Sequence, residues 1–125
     1  AVLAQRLVRT LCRHCHEKYR PEEDEMEALG LPASWRKDPN LHFWRAAGCA
    51  ACDYVGYMGR VGLFELLIVD ETVRQMVLDR AMAYEIRKYA RTKGMRTLRE
   101  EGLIKCAQGI TSTEEIMMHT DKFDD

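Results

Sequence analysis

Apolar residues recur along the chain in changing rhythms, and the changes divide it into segments. In the first segment Leu3, Leu7, Val8 and Leu11 keep the three-to-four spacing of a helix face. With no initiator Met, the stretch reads as the last helix of a domain whose body lies upstream. From Arg20 to Asn40 the rhythm dissolves into polar and acidic residues broken by Pro21, Pro32 and Pro39. Pro21 followed by Glu22, Glu23 and Asp24 predicts a short helix start, because carboxylates favour the positive end of a helix dipole. Leu29 and Gly30 would end it, and the charge run reads as a solvated face. Further on, Gly56-Tyr57-Met58-Gly59-Arg60-Val61-Gly62 reads as a glycine-punctuated turn, with Leu63 to Val69 as a strand behind it.

From Asp70 the helical period returns and stays. Asp70 is a good N-cap for a helix through Val73, Met76 and Val77. A second helix places Met82, Ile86 and Ala90 on one face, with Arg87, Lys88 and Arg91 elsewhere, and Gly94 closes it. In a third, Thr97 and Glu100 have capping-box spacing, and Leu98, Gly102, Leu103, Cys106, Ala107 and Ile110 form the buried stripe. Gly109 stops that helix. Thr111 and Glu114 repeat the capping-box spacing before Glu115-Ile116-Met117-Met118, and Asp121 to Asp125 read as a fraying tail. The methionines of these helices read as core filler.

Cysteines change this picture most. Of the five, four form two matched knuckles, Cys12-Arg13-His14-Cys15 and Cys49-Ala50-Ala51-Cys52. A C-x-x-C turn aims both sulfurs at one point. Two such turns supply four thiolates, which fill the tetrahedral shell of a structural zinc ion and leave no open position for substrate. Small residues flank the second pair, in Ala47-Gly48-Cys49-Ala50-Ala51-Cys52, where the backbone must turn tightly around a metal. Disulfides fit less well, since they need an oxidising compartment and would leave Cys106 odd. A dithiol redox site needs one reactive C-x-x-C near a βαβ pattern. His14 and His16 read as bystanders, and Cys106 as a small core hydrophobe.

A net charge of -1 on 125 residues, with 46% hydrophobic and 31% charged, describes one compact unit or two small ones able to bury a core. That balance argues against a nucleic-acid footprint. The longest apolar stretch, Val61 to Val69, is too short to span a bilayer, and no transit or lipidation signal appears. The reading is a cytoplasmic chain of α+β class, mainly α: a tetracysteine zinc-knuckle subdomain, a short strand, then a C-terminal helical bundle. No G-x-x-x-x-G-K-[ST] loop is present, and Gly56, Gly59 and Gly62 precede a strand, the wrong order for a nucleotide fingerprint. The chain itself is not expected to catalyse a reaction.

Three strings, in this order and spacing, carry a resemblance. They are Ala4-Gln5-Arg6-Leu7-Val8-Arg9-Thr10-Leu11-Cys12, then Arg45-Ala46-Ala47-Gly48-Cys49 through Cys52 to Gly56-Tyr57-Met58-Gly59-Arg60-Val61-Gly62-Leu63-Phe64-Glu65-Leu66-Leu67, and Gly94-Met95-Arg96-Thr97-Leu98-Arg99-Glu100-Glu101-Gly102-Leu103 with Gly109-Ile110-Thr111 and Glu114-Glu115. Over Leu3 to Thr120 the chain resembles the C-terminal end of the ATPases of type II secretion and type IV pilus assembly. The resemblance implies a hexameric ATPase at the cytoplasmic face of the inner membrane, using ATP and Mg2+ to assemble pilin-like filaments. Residues 1–11 would then end the upstream ATPase core, 12–59 would be the zinc-binding subdomain, and 60–125 the C-terminal strand and helices. Partners implied are the ATPase core, neighbouring subunits of a homo-hexamer and inner-membrane platform proteins, with no nucleic acid. Arg13 stands where the family usually has Pro, and Met118-His119-Thr120 replaces an Arg-Val-Thr-like string, which leaves secretion and pilus systems both open.

Arg60 is the candidate nucleotide-binding residue. Gly59 and Gly62 allow close backbone approach, a guanidinium can stack on adenine or pair with phosphate, and the resemblance places the matching arginine beside the base. The competing role is an ion pair with Glu65, a costly carboxylate in an apolar strand. Outside the family, a stand-alone zinc-ribbon adaptor for nucleic acid or protein would use Arg6, Arg9, Arg13, Lys18, Arg20 and Trp44. A thiol oxidoreductase would show a reactive thiolate without metal.

Overall fold

The computed structural model describes residues 1–121; the predicted fraying tail from residue 122 onward lies outside the described residues. Among those described are four strands and six helices: β1 (Val2–Leu11), β2 (Glu17–Tyr19), α1 (Glu23–Leu29), α2 (Ala33–Arg36), β3 (Phe43–Arg45), β4 (Tyr57–Leu67), α3 (Glu71–Leu78), α4 (Ala83–Thr92), α5 (Leu98–Ala107) and α6 (Thr113–His119). The class is α+β, as the pattern predicted.

Residues 2–11 form a strand, not the predicted helix. β1 pairs antiparallel with β4 from Val2↔Leu67 to Arg9↔Arg60, and the register shifts between Arg9 and Leu11. Leu3, Leu7, Val8 and Leu11 satisfy a helical period over eleven residues, but a partner fifty residues away decides the outcome, and β-branched Val2, Val8 and Thr10 suit a pleated surface. The same partnership extends β4 back to Tyr57, so the glycine run expected to be a turn lies mostly inside the strand. One ribbon face carries Leu3, Gln5, Leu7, Arg9, Arg60, Phe64 and Leu66, because opposed residues point the same way. The other face carries Val8, Val61 and Leu63 into the core.

That core joins Val8 and Leu63 to Met26, Leu29, Leu31, Leu41 and Phe43 from between the cysteine pairs, and to Leu103, Cys106 and Ile116 from α5 and α6. Fully burying one such side chain contributes about 1.5–3 kcal/mol. The cluster therefore ties the knuckle segment to the helical half. α5 and α6 touch closely at Gly102, where a methyl group would come 2.5 Å from Ile116 Cδ1. Caps fall largely as the sequence predicts: Asp70 accepts the Val73 N–H, Thr97 and Glu100 form a reciprocal box, and Gly94 and Gly109 take left-handed φ values of 96° and 79°. At α6 the cap is Ser112, accepting the Glu115 N–H, and not Thr111 with Glu114. Thr111 instead donates to the Arg9 carbonyl at 2.7 Å. The helical methionines are not all core filler, since Met82, Met117 and Met118 are exposed. Among the described residues no helix is long and apolar enough to cross a membrane.

Candidate metal centre

A small ribbon brings the two knuckles together. β2 begins two residues after Cys15 and β3 ends four residues before Cys49, and their antiparallel pairing, Glu17↔Arg45 to Tyr19↔Phe43, folds the intervening chain back on itself. The Arg45 guanidinium sits over the Tyr19 ring at 4.1 Å, and Trp44 stacks on His16 at 4.2 Å. After Cys49 a short 3-10 turn, Ala50–Cys52, bends the chain, and Asp53 and Tyr54 follow with φ values of 55° and 63°. Gly48 makes this possible: its φ is 123°, and a Cβ there would lie 2.9 Å from the Tyr54 carbonyl oxygen.

The four sulfurs of Cys12, Cys15, Cys49 and Cys52 all lie within 4.8 Å of one another. Cys12 to Cys49 is 3.8 Å, Cys15 to Cys52 is 3.8 Å and Cys49 to Cys52 is 3.9 Å. A disulfide needs about 2.05 Å, so these are free thiols. Zinc–sulfur bonds of about 2.3 Å arranged tetrahedrally give sulfur–sulfur edges of about 3.8 Å, which matches. Backbone N–H groups also point at the sulfurs: Gly48 at Cys15 (3.2 Å), and Cys49 and Gly56 at Cys52 (3.3 and 3.2 Å). Such donors stabilise thiolate. Burial acts to raise the Cys52 thiol, but these N–H groups and the neighbouring thiols bring it down to about 6. For Cys15, burial and contacts with the other three thiols outweigh the Gly48 N–H and push it up to about 11. The donor set could hold one metal ion, and His14 and His16 are not part of it. Cys106 is wholly buried in the core, where burial raises its thiol far above the usual range.

Arg60 stands exposed on the open face of the long ribbon. Its expected alternative partner is taken, because Glu65 faces Arg87 at 3.8 Å and accepts the Leu98 N–H at 3.2 Å. Across the ribbon, Arg9 is held by Glu115 through two N–H bonds, from its backbone N–H at 2.8 Å and Nε at 2.9 Å, and an ion-pair contact from Nη2 at 2.8 Å. Glu115 is 1% exposed. Burial acts to raise its carboxyl, but the Arg9 backbone N–H and guanidinium hold it below the ordinary carboxylate value. Sequence reading missed this pair. The signal was present in the second glutamate of Glu114-Glu115, which falls at the third helical position once Ser112 is taken as the cap.

A four-sulfur cluster beside a small ribbon, fused through one core to a long ribbon and a helical layer, defines a tetracysteine-knuckle protein whose donor set could hold a metal ion. Residues 1–118 match the type II/IV secretion system protein family, and the chain belongs to that family. It is 42% identical over 119 residues to the type IV pilus assembly ATPase PilB of Thermus thermophilus, covering 95% of this chain and 13% of that protein. It is 42% identical over 120 residues to the type II secretion system protein E of Pseudomonas aeruginosa, and 41% identical over 119 residues to the type II secretion system ATPase E of Vibrio cholerae. Each of these two alignments covers 95% of this chain and 23% of the relative. The chain thus spans less than a quarter of the length of these curated relatives.

Proposed function

We propose that this chain is the zinc-binding C-terminal part of a hexameric secretion ATPase that powers pseudopilus or pilus assembly and protein export. In this reading residues 1–11 end the ATPase core, 12–59 form the zinc-binding subdomain and 60–125 the C-terminal strand and helices. The part itself is structural and interactive. Apart from the contact by Arg60, ATP and Mg2+ are handled by the rest of the motor, which is held at the cytoplasmic face of the inner membrane by platform partners.

The observation that carries this reading is the convergence of Cys12, Cys15, Cys49 and Cys52 at tetrahedral-edge spacing, in a chain aligned almost end to end with secretion and pilus ATPases. With all four positions filled by sulfur, zinc would supply rigidity and no reactive site. The open ribbon face supports a seat on the motor core: Leu3, Leu7, Phe64 and Leu66 are each about half exposed there. A two-stranded ribbon of this length is marginal alone, and no further strand pairs with either outer edge among the described residues. Arg60, on that face, would meet the nucleotide.

Elemental analysis of the full-length ATPase tests the reading. One zinc per subunit is expected, lost in Cys49→Ser. Arg60→Ala should keep its zinc while weakening Mg-ATP binding by about 1–2 kcal/mol. Metal-free protein with an intact fold, or unchanged ATP affinity with a lowered melting temperature, would remove the zinc or the nucleotide role respectively.

A further inference from the structure

The long ribbon contains an electrostatic problem. Arg9 and Arg60 are directly opposed on the same face, and like charges opposed across strands repel. The structure resolves the problem on one side only. Arg9 is held at several groups: its backbone N–H and guanidinium go to Glu115, its carbonyl accepts from Thr111 Oγ1 at 2.7 Å, and its guanidinium lies 4.0 Å over the Tyr57 ring. Tyr57 is in turn fixed by a 2.7 Å hydrogen bond to Ser112 at the cap of α6. Arg60 makes no ion pair among the described residues and opens, together with Arg9, Glu115 and His119, on a cleft of about 590 Å3. Leu7, Val55 and Met118 give that cleft apolar walls.

We propose that Glu115 is a positioning residue for Arg60: it draws the Arg9 charge back against α6, so that Arg60 alone is presented to an anionic nucleotide in the cleft. The proposal rests on the reading that Arg60 meets the nucleotide. It adds that α6 sets nucleotide affinity through one buried carboxylate that itself touches no nucleotide. His119 Nε2, 3.5 Å from the same carboxylate, is the other group Glu115 restrains at the cleft rim.

Simple charge counting predicts the opposite sign, which makes the proposal testable. Glu115→Gln adds one unit of positive charge beside the cleft, and if Glu115 acted only through charge, Mg-ATP would bind more tightly. If Glu115 positions, the freed Arg9 crowds Arg60, and the Mg-ATP dissociation constant rises about five- to thirty-fold, comparable to Arg60→Ala. The experiment measures Mg-ATP affinity, zinc content and melting temperature in full-length ATPase carrying Arg60→Ala, Glu115→Gln and the two together. Expected is a weakening in each single variant and no further weakening in the double, although the Glu115→Gln loss of melting temperature persists in both backgrounds. Additive losses of affinity, or tighter binding in Glu115→Gln, overturn the proposal. An unaffected Arg60→Ala overturns the underlying nucleotide reading instead. Should Glu115→Gln not fold, Arg9→Lys keeps the charge but loses the two-pronged grip; it should weaken Mg-ATP several-fold, and unchanged affinity in that folded variant also overturns the proposal.

Discussion

Between Cys12 and Cys52 the chain is organised around four sulfurs and a two-stranded ribbon three residues long, whereas from Asp70 to Thr120 it is organised by helices that mostly carry their own caps. α1 and α2, of seven and four residues, have no side-chain cap, while α3, α5 and α6 are capped by Asp70, Thr97 and Ser112. Helices that short are marginal in water. Order in the first region therefore has to come from outside its own secondary structure, from what joins the four sulfurs and from Met26, Leu29 and Phe43 reaching the shared core. Order in the second is written locally as well as in packing.

The largest expected effect follows from that contrast. Structural zinc in a four-ligand site contributes roughly 10–16 kcal/mol of apparent free energy near neutral pH, as much as the whole stability of an ordinary domain. Stripping metal from the full-length protein with a strong chelator should open β2, β3 and the Cys49 to Gly56 loop to hydrogen exchange, while α5 and α6 stay protected. Uniform loss of protection over residues 12–121 would mean that the shared core, and not the capping, couples the regions into one unit.

Next in size is the pair that bridges ribbon and bundle. Glu115→Ala removes the acceptor of two Arg9 N–H bonds and the partner of its ion pair, and should lower stability by about 3 kcal/mol. The pH dependence has a definite sign. Because Glu115 titrates in the folded protein below its ordinary value near 4.5, its contribution is fully present above that value and is lost as pH falls through the lower folded one. Acid unfolding of Glu115→Gln should thus show a shallower decline below pH 4.5 than the parent. An identical acid limb would show that the Arg9 contact contributes nothing to stability.

How much of this was legible beforehand differs between the same two regions. The sulfur cluster was readable because C-x-x-C spacing is local covalent geometry, and the caps of α3 and α5 because an N-cap binds its own helix three residues on. β1 was not readable, since its four apolar positions fit a helix and only β4 makes them a strand. The Arg9–Glu115 bond was hidden for the same reason, joining residues 106 apart in sequence. At α6 the local signal was ambiguous, because Thr111, Ser112 and Thr113 can all cap. The ribbon decided, taking Thr111 for the Arg9 carbonyl and leaving Ser112.

A moderate effect is expected where α5 meets α6. Gly102→Ala gains up to about 1 kcal/mol of helix propensity, but its methyl would meet Ile116 Cδ1 at 2.5 Å and Cγ1 at 3.0 Å. Overpacking typically costs about 1–3 kcal/mol, so a net loss of about 1 kcal/mol should appear in denaturant titration. Pairing it with Ile116→Val should recover part of that loss. A stabilised Gly102→Ala would show that Ile116 shifts freely and that the helical half is looser than its capping suggests.

The smallest effect is the most local. Thr97 accepts the Glu100 N–H at 3.2 Å, Glu100 returns a bond to the Thr97 N–H at 3.1 Å, and Glu100 also faces Arg91 of α4 at 3.3 Å. Thr97→Ala removes one half of the box and should lower stability by about 1 kcal/mol. If the helical half is ordered by its own ends, the loss should be confined to faster exchange in the first turn of α5, with zinc content and protection around Cys12 and Cys49 unchanged. Its first turn lies next to Arg99, which donates to the Leu29 carbonyl at 3.4 Å and so touches the end of α1. That contact is a direct polar route by which a cap defect could reach the knuckle segment, beside the shared core. Faster exchange at α1 in Thr97→Ala, absent from Thr97→Ser, would show that the route carries order between the regions and that their separation is incomplete.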